Sequence, residues 1–297
     1  MRRGVIDAVV ATRDSRELVV ECVDRLRSPL IDRVIVVDNG SHDGTATAVR
    51  EARPEAMVVR LEEPEGLSHA YNRGAEAGSS ELVLFLNDDV FATDEAISEL
   101  ARALAVRPDA AAAAGRLVDP DNGRTQAEYL PRAFPGSLAL AASLLGRPRR
   151  HLRLREDETV AVDQPPGACL LVRRGVFETV GGWDEDFEFW FEDVDLACRL
   201  KPAGEVLYVP TAVFPHVGGA SAARLSHAEV VSRSYRGALL YAQKHLGGRG
   251  RAITAPAYAL GSAVRVLTTR DPASRRAYVG VLRDAVRLAA GRPLRPR

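Results

Sequence analysis

The chain has 297 residues, 46% of them apolar, enough for one large α/β domain or for a domain with an appendage. Lys plus Arg and Asp plus Glu both number 40, so the formal net charge is zero and nothing electrostatic points to nucleic acid as a partner. The 3 cysteines, Cys22, Cys169 and Cys198, are scattered without C-x-x-C spacing, which excludes a disulfide framework and reads as buried thiols in a reducing compartment.

The N-terminus is basic but has no apolar stretch of the kind a signal peptide carries. Two of the longest runs free of charged side chains, 133–146 and 252–264, are shorter than a bilayer requires. The third, 206–223, is broken by Pro210, Pro215, His216 and Gly218-Gly219. A cytoplasmic protein is expected, with peripheral contact at the inner face of the cell membrane left open.

In chain order, 5–11 reads as an apolar strand and 15–27 as a helix, with Leu18, Val19, Cys22, Val23 and Leu26 on one face and Asp14 or Ser15 at its cap. A strand over 33–37, a helix over 45–53, a strand over 57–61 and a helix over 66–77 follow. Next come a strand over 81–86, an amphipathic helix over 93–107 with Asp94 and Glu95 in its first turn, and a strand over 110–118. Between 119 and 166 the pattern fails, apart from a short apolar piece at 136–146. Order returns with a strand over 167–172, a short helix over 176–180, a helix over 192–201, a strand over 205–210 and a long helix over 226–246. Alternating strands and helices imply a mostly parallel sheet flanked by helices, with ligands beyond the carboxyl ends of the strands.

Three constellations sit at such places. Val34-Ile-Val-Val-Asp-Asn-Gly-Ser-His-Asp-Gly-Thr45 delivers Asp38 to a strand end. Its carboxylate can accept from a base or ribose while Asn39 and the turn amides hold the loop, or the stretch is simply an Asx-rich connection. Thr12 and Asp89 also lie just past strand ends and should converge with Asp38 on one crevice. Asn87-Asp88-Asp89 ends an apolar strand, and two adjacent carboxylates there call for a neutralising cation, magnesium or manganese by their hard oxygen ligands. Glu192-Asp193-Val-Asp195 follows Trp183, Phe187, Phe189, Trp190 and Phe191. Aromatic faces with carboxylates alongside suit a sugar, and apolar surroundings raise a carboxylate toward the range of a general base. His216 follows a strand in a loop, where it is a structural residue or completes the coordination of a metal held by Asp89.

Val36-Val-Asp-Asn-Gly-Ser-x-Asp-Gly-Thr45, Leu86-Asn-Asp-Asp89, Gly167-Ala-Cys-Leu, Gly181-Gly-Trp-Asp-Glu-x-Phe187, Phe191-Glu-Asp-Val-Asp-Leu196 and His216-x-Gly-Gly-x-Ser221 occur in this order. The set resembles family 2 glycosyltransferases, in particular their rhamnosyltransferase-like branch, over roughly residues 5–245. The resemblance implies a GT-A fold, a hexosyltransferase-type activity and a nucleoside-diphosphate sugar donor carrying thymidine or uridine diphosphate. It also implies a divalent cation, Mg or Mn, and inversion at the anomeric carbon. Rhamnose is the expected sugar, and a glycan or lipid-linked molecule of cell-wall or polysaccharide synthesis the expected acceptor.

Carried onto this chain, the resemblance places Thr12, Asp38, Asn39, Asp43, Gly66, Asn72, Asn87 and Asp88 at the donor and Asp89 and His216 on the metal. Asp193 falls at the position of the catalytic base with Glu192 beside it, and Trp183, Trp190 and Asp195 fall on the acceptor side. Asn87 stands where the family's D-x-D pattern has its first Asp.

The implied domains are a transferase domain over 1–247, split into a nucleotide-sugar half, 1–118, and an acceptor half, 119–247, and a basic helical extension over 248–297. In that extension Tyr278, Val281, Leu282, Val286 and Leu288 give 274–290 an apolar face. That face meets either a membrane surface or the protein itself, including a second subunit of a homo-oligomer.

Two other readings share the sheet. A sugar-1-phosphate nucleotidyltransferase wants a glycine-rich loop after the first strand, where only Arg13 stands, and a non-catalytic nucleotide-sugar-binding module has no need of Asp89, Asp193 and His216. An NAD-dependent oxidoreductase lacks its glycine fingerprint.

Overall fold

The computed structural model describes residues 4–147, 149–219 and 223–294; Ser221 of the last motif lies outside them. The chain forms two compact units. One comprises 1–133, 151–184 and 196–218, and the other 134–150, 185–195 and 219–297.

The first unit is built on an eight-stranded sheet: β1 (Ile6–Thr12), β2 (Ile31–Asn39), β3 (Met57–Leu61), β4 (Leu82–Asn87), β5 (Ala110–Val118), β6 (Val160–Ala161), β7 (Cys169–Arg173) and β8 (Glu205–Pro215), in the order β3-β2-β1-β4-β7-β5-β8-β6. Strands β3, β2, β1 and β4 are parallel, as is the β5–β8 pair. Strand β7 runs antiparallel between β4 and β5, and β6 antiparallel on β8. The alternation of strands and helices predicts the parallel half; the reversed β7 has no signature of its own, because a buried apolar strand reads alike in either direction.

The helices of this unit are α1 (Arg16–Arg25), α2 (Thr45–Ala52), α3 (Leu67–Glu76), α4 (Asp94–Val106) and α6 (Arg174–Thr179). They cover two apolar layers. Val19, Cys22, Val23, Ile97 and Leu100 pack against Val10, Val36 and Leu86 in one. Tyr71, Phe177 and Trp183 pack against Val9, Val37 and Phe85 in the other. Thr93 caps α4 by accepting from the Ala96 N–H, as its position before the helix predicts. Cys22 and Cys169 are buried, Cys198 less so.

At the amino ends of the strands Asp7 is fully buried. Its Oδ2 accepts from Arg174 at 2.8 Å and from the Ser80 N–H at 2.7 Å. Arg174 also donates to the carbonyls of Ala75 and Ser80.

The second unit is helical: α5 (Ser137–Ser143), α8 (His227–His245), α9 (Gly247–Thr268) and α10 (Pro272–Ala289). Ser226 and Glu229 close a reciprocal capping box on α8, and Asp271 caps α10. Helix α7 (Glu192–Leu200) carries residues of both units. The apolar face expected of the last helix is largely covered within this unit: Tyr278, Val281 and Leu288 are buried as α10 packs on α8 and α9, while Leu282 is half-buried and Val286 exposed. Those three side chains therefore meet the protein itself, the second of the two alternatives that the sequence allows. Helix α9 opens the extension read as helical, although Gly247, Gly248, Gly250 and Pro256 argue against a helix there. Among the described residues no helix is long and apolar enough to cross a membrane.

Removing the guanidinium in Arg174→Ala leaves the buried Asp7 carboxylate with only the more distant Arg33, at 3.9 Å, as a counter-charge. The expected cost is about 3 kcal/mol of folding stability, read by urea denaturation. A cost below about 1 kcal/mol would show that Ser80 alone satisfies Asp7.

Candidate active site

In the first unit the carboxyl ends of β1, β2 and β4 lie side by side. Thr12 is in register with Asp38, and Ala11 with Asn87. The Thr12 hydroxyl donates to Asp88 at 2.8 Å, so the two loops are tied across the sheet. Buried Asp38 accepts from the Ser41 N–H at 2.9 Å, which folds the turn back on its own strand. Asp14, at φ 47°, receives the His42 N–H and gives its own N–H to Ser41. Burial pushes the Asp43 carboxyl up, but bonds from the Thr45 hydroxyl, the Thr45 N–H and the Arg16 N–H outweigh it and hold the group below the usual carboxylate range. The loops after β1 and β2 are thus laced together before any ligand arrives.

Several expected donor residues turn out to be spent on this scaffold. Asn39 donates to the Gly66 carbonyl and accepts from the Glu65 N–H, pinning the start of α3 at Gly66, whose φ of 92° favours glycine. Both ends of the Asn72 amide hold the backbone of Trp183, at 2.8 and 2.9 Å. Asn87 accepts from the Tyr71 hydroxyl. Trp183 itself is a core residue, its ring centroid 5.2 Å from that of Tyr71 and 5.3 Å from that of Phe85, and not a free face for stacking.

Asp89 and His216 meet. The chain at 89–91 pairs with 215–217: Val217 donates to the Asp89 carbonyl, Phe91 to the Pro215 carbonyl, and Val90 bridges His216. Strand β8 runs on to Pro215 and does not stop at 210, so His216 is held at a strand end and not in a loose loop. Both side chains are almost fully buried, with His216 Nε2 3.3 Å from Asp89 Oδ1.

A residue the sequence reading missed, Gln126, decides what that contact is. Its Nε2 donates to the His216 carbonyl at 2.8 Å, and its Oε1 lies 2.7 Å from His216 Nδ1. The carbonyl can only accept, so the amide nitrogen must face it, and the amide oxygen then takes the Nδ1 proton. In the neutral ring Nε2 is left with a lone pair, 3.3 Å from Asp89 Oδ1. The Asp89 Oδ1 is buried and makes no hydrogen bond. Two buried acceptors lie 3.3 Å apart, an arrangement a cation would resolve. Tyr129 braces the imidazole edge-on, its ring centroid 4.6 Å away. Among the described residues no group of three or more His, Cys, Asp or Glu gathers to hold a metal. Were a hard cation of the magnesium type held here, the pair would offer it two ligands, with the rest to come from water and phosphate oxygens.

In the second unit Trp190 and Phe191 both have left-handed backbone, at φ 66° and 72°, which is costly for non-glycine residues. A neighbouring glycine makes room for the turn: a Cβ on Gly237 of α8 would lie 2.8 Å from the Trp190 carbonyl. Phe191 packs on Tyr241, and Trp190 edge-on against Phe189. The turn launches α7 with Glu192 and Asp193. Asp195 is fully buried and paired with His245 of α8 at 2.7 Å, so it anchors the helix and presents no free carboxylate. The Asp193 Oδ1 accepts from the Val194 N–H. Glu192 Oε2 is buried without a hydrogen bond. Burial, with the neighbouring Asp193 charge adding to it, pushes the Glu192 carboxyl up to about 8. It is therefore largely protonated at neutral pH.

A carboxyl raised in the fold stabilises it fully below its unfolded value of 4.5, and that contribution is lost as pH rises through about 8. The excess of Tm in Glu192→Gln over the parent chain should therefore grow between about pH 5 and 8 and level off above, in thermal melts at several pH values. A pH-independent difference would contradict the burial of the Glu192 carboxyl.

Comparison with known proteins gives the family and the fold. The model of glycosyl transferase family 2 matches residues 7–181. An N-acetylglucosaminyl-diphospho-decaprenol L-rhamnosyltransferase of Mycobacterium tuberculosis is 30% identical over 232 residues, 72% of this chain and 76% of that protein. S. aureus TarS, solved with UDP-GlcNAc, superposes at a TM-score of 0.62 with 14% identity, covering 96% of this chain and 81% of the other. A mannosyltransferase from Pyrobaculum calidifontis, solved with GDP-Man and Mn2+, gives a TM-score of 0.55 with 18% identity over 97% and 88% of the two chains. The fold is GT-A, and the chain belongs to glycosyl transferase family 2, as a rhamnosyltransferase-like glycosyltransferase.

Proposed function

We propose that this glycosyltransferase is metal-dependent and inverting, moving a sugar from a nucleoside-diphosphate donor to a hydroxyl of a glycan or lipid-linked acceptor. The observation that carries the reading is the pair of buried acceptors, Asp89 Oδ1 and His216 Nε2, 3.3 Å apart. Rhamnose as the sugar and a lipid diphosphate as the acceptor are supported by the name of the mycobacterial relative. Thymidine or uridine diphosphate is the proposed carrier.

Asp89 and His216 would hold Mg or Mn, which when bound supplies positive charge against that building on the departing diphosphate. Thr12, Asp38, Asp43 and Asp88 keep the nucleoside pocket formed, with Asn39, Gly66, Asn72 and Asn87 fixing the loops around it. Asp193 takes the proton of the acceptor hydroxyl as its oxygen bonds to the anomeric carbon and the carbon–phosphate-oxygen bond breaks on the opposite face. No covalent sugar intermediate is needed, so one base suffices. Glu192, neutral beside it, leaves Asp193 as the ionised member of the pair. Trp190 offers an aromatic face to the acceptor.

Screening nucleoside-diphosphate sugars with the full chain, with manganese or with chelator, tests the reading through release of the nucleoside diphosphate. Release should depend on the metal, and Asp193→Asn should lower kcat by about 10²–10⁴ with little change in donor KM. Near-normal transfer by Asp193→Asn at saturating donor and manganese would remove the base from this residue. Pyrophosphate as product would favour the nucleotidyltransferase reading.

Gln126 is a positioning residue for His216. Gln126→Ala should weaken manganese binding by about 10–100-fold in titration calorimetry, an effect independent of turnover. Unchanged affinity would mean that the imidazole does not need its orientation fixed.

A further inference from the structure

Helix α9 has two unlike faces. Gly250, Thr254, Ala255, Tyr258 and Ser262 are buried within the helical unit. On the opposite side Ile253, Leu260, Val264 and Leu267 are 47%, 70%, 50% and 84% exposed. At 100° per residue these four fall within a narrow arc, together with exposed Pro256, and the stripe runs for about 20 Å along the axis. Helix α5, held against α9 by the Arg265 guanidinium on the Leu144 carbonyl, adds Leu138 and Leu145 at 75% and 77% exposed. Isolated exposed leucines are ordinary, whereas a continuous apolar stripe on one helix marks an interaction surface.

Charge identifies what covers it. Residues 134–150 and 247–270, which make this surface, contain no Asp or Glu. Arg249 before the stripe, Arg270 beyond it, and Arg147 and Arg150 after α5 are all exposed. An apolar face rimmed by cations fits the boundary of an anionic bilayer, where side chains enter the acyl region and guanidiniums meet phosphates.

We propose that the α9 stripe, with Leu138 and Leu145 of α5, is a membrane-surface site that lays the helix in the plane of an anionic lipid leaflet. The site rests on α9 and α5 alone, so it stands or falls separately from the donor assignment. If the acceptor is lipid-linked, the same surface brings the enzyme to its substrate.

The test is co-sedimentation of the full chain with vesicles of phosphatidylcholine alone or with phosphatidylglycerol. Binding should require phosphatidylglycerol and weaken with added salt. Leu260→Glu/Leu267→Glu should lower the bound fraction at least tenfold. Both positions are exposed, so circular dichroism and Tm should match the parent chain. Equal binding by the variant, or no binding by the parent, would overturn the proposal. So would a parent dimer that the variant converts to monomer, since a second copy would then be what covers the stripe.

Discussion

A buried carboxylate must be paid for, and in this protein the account turns on one that is not satisfied internally. Asp7, Asp38, Asp88 and Asp195 each have a donor: a guanidinium, a backbone N–H, a hydroxyl and an imidazole. Asp89 is buried as deeply, yet its Oδ1 makes no hydrogen bond and lies 3.3 Å from the His216 imidazole, whose other nitrogen is held by Gln126. Such an arrangement survives because other contacts over-determine it. The 89–91 and 215–217 segments pair as strands, Gln126 grips His216 at both backbone and ring, and Tyr129 braces the ring. Stability is spent on holding two acceptors together, which is the cost of preorganising a site.

A second carboxyl is treated similarly in the helical unit. Glu192 stands beside Asp193 after two residues with left-handed backbone, and its Oε2 is buried without a hydrogen bond. The surrounding anchors are strong: Asp195 with His245, Phe191 on Tyr241, and the space at Gly237. Raising one carboxyl of an adjacent pair separates their protonation states, and this is what a single-base displacement requires.

Much of this is legible in the chain because local and long-range signals agree there. Strands β1, β2 and β4 announce themselves by apolar runs ending in polar turns, and the parallel order follows from the helices between them. Asp38, Asn39 and Asn87-Asp88-Asp89 stand out by position at strand ends. Roles were harder to read than places. Asn72 and Asp195 look like ligand groups in sequence, but their partners, the Trp183 backbone and His245, lie 111 and 50 residues away. Trp183 reads as a sugar platform and is a core side chain, since an aromatic residue gives no local sign of which surface it meets. Gln126 falls where periodicity fails, between 119 and 166, and a lone Gln carries no pattern. Helix α9 hides behind Gly247, Gly248, Gly250 and Pro256, whose unfavourable propensity is overridden by packing of its buried face.

Anomalous diffraction at the manganese edge, from crystals of the full chain grown with manganese and nucleoside diphosphate, tests the central claim most directly. The account predicts a manganese peak within ligand distance of both the Asp89 carboxylate and His216 Nε2, with Gln126 still on Nδ1. A structure with the nucleotide bound but no metal there, and His216 donating a direct hydrogen bond to Asp89, would contradict it.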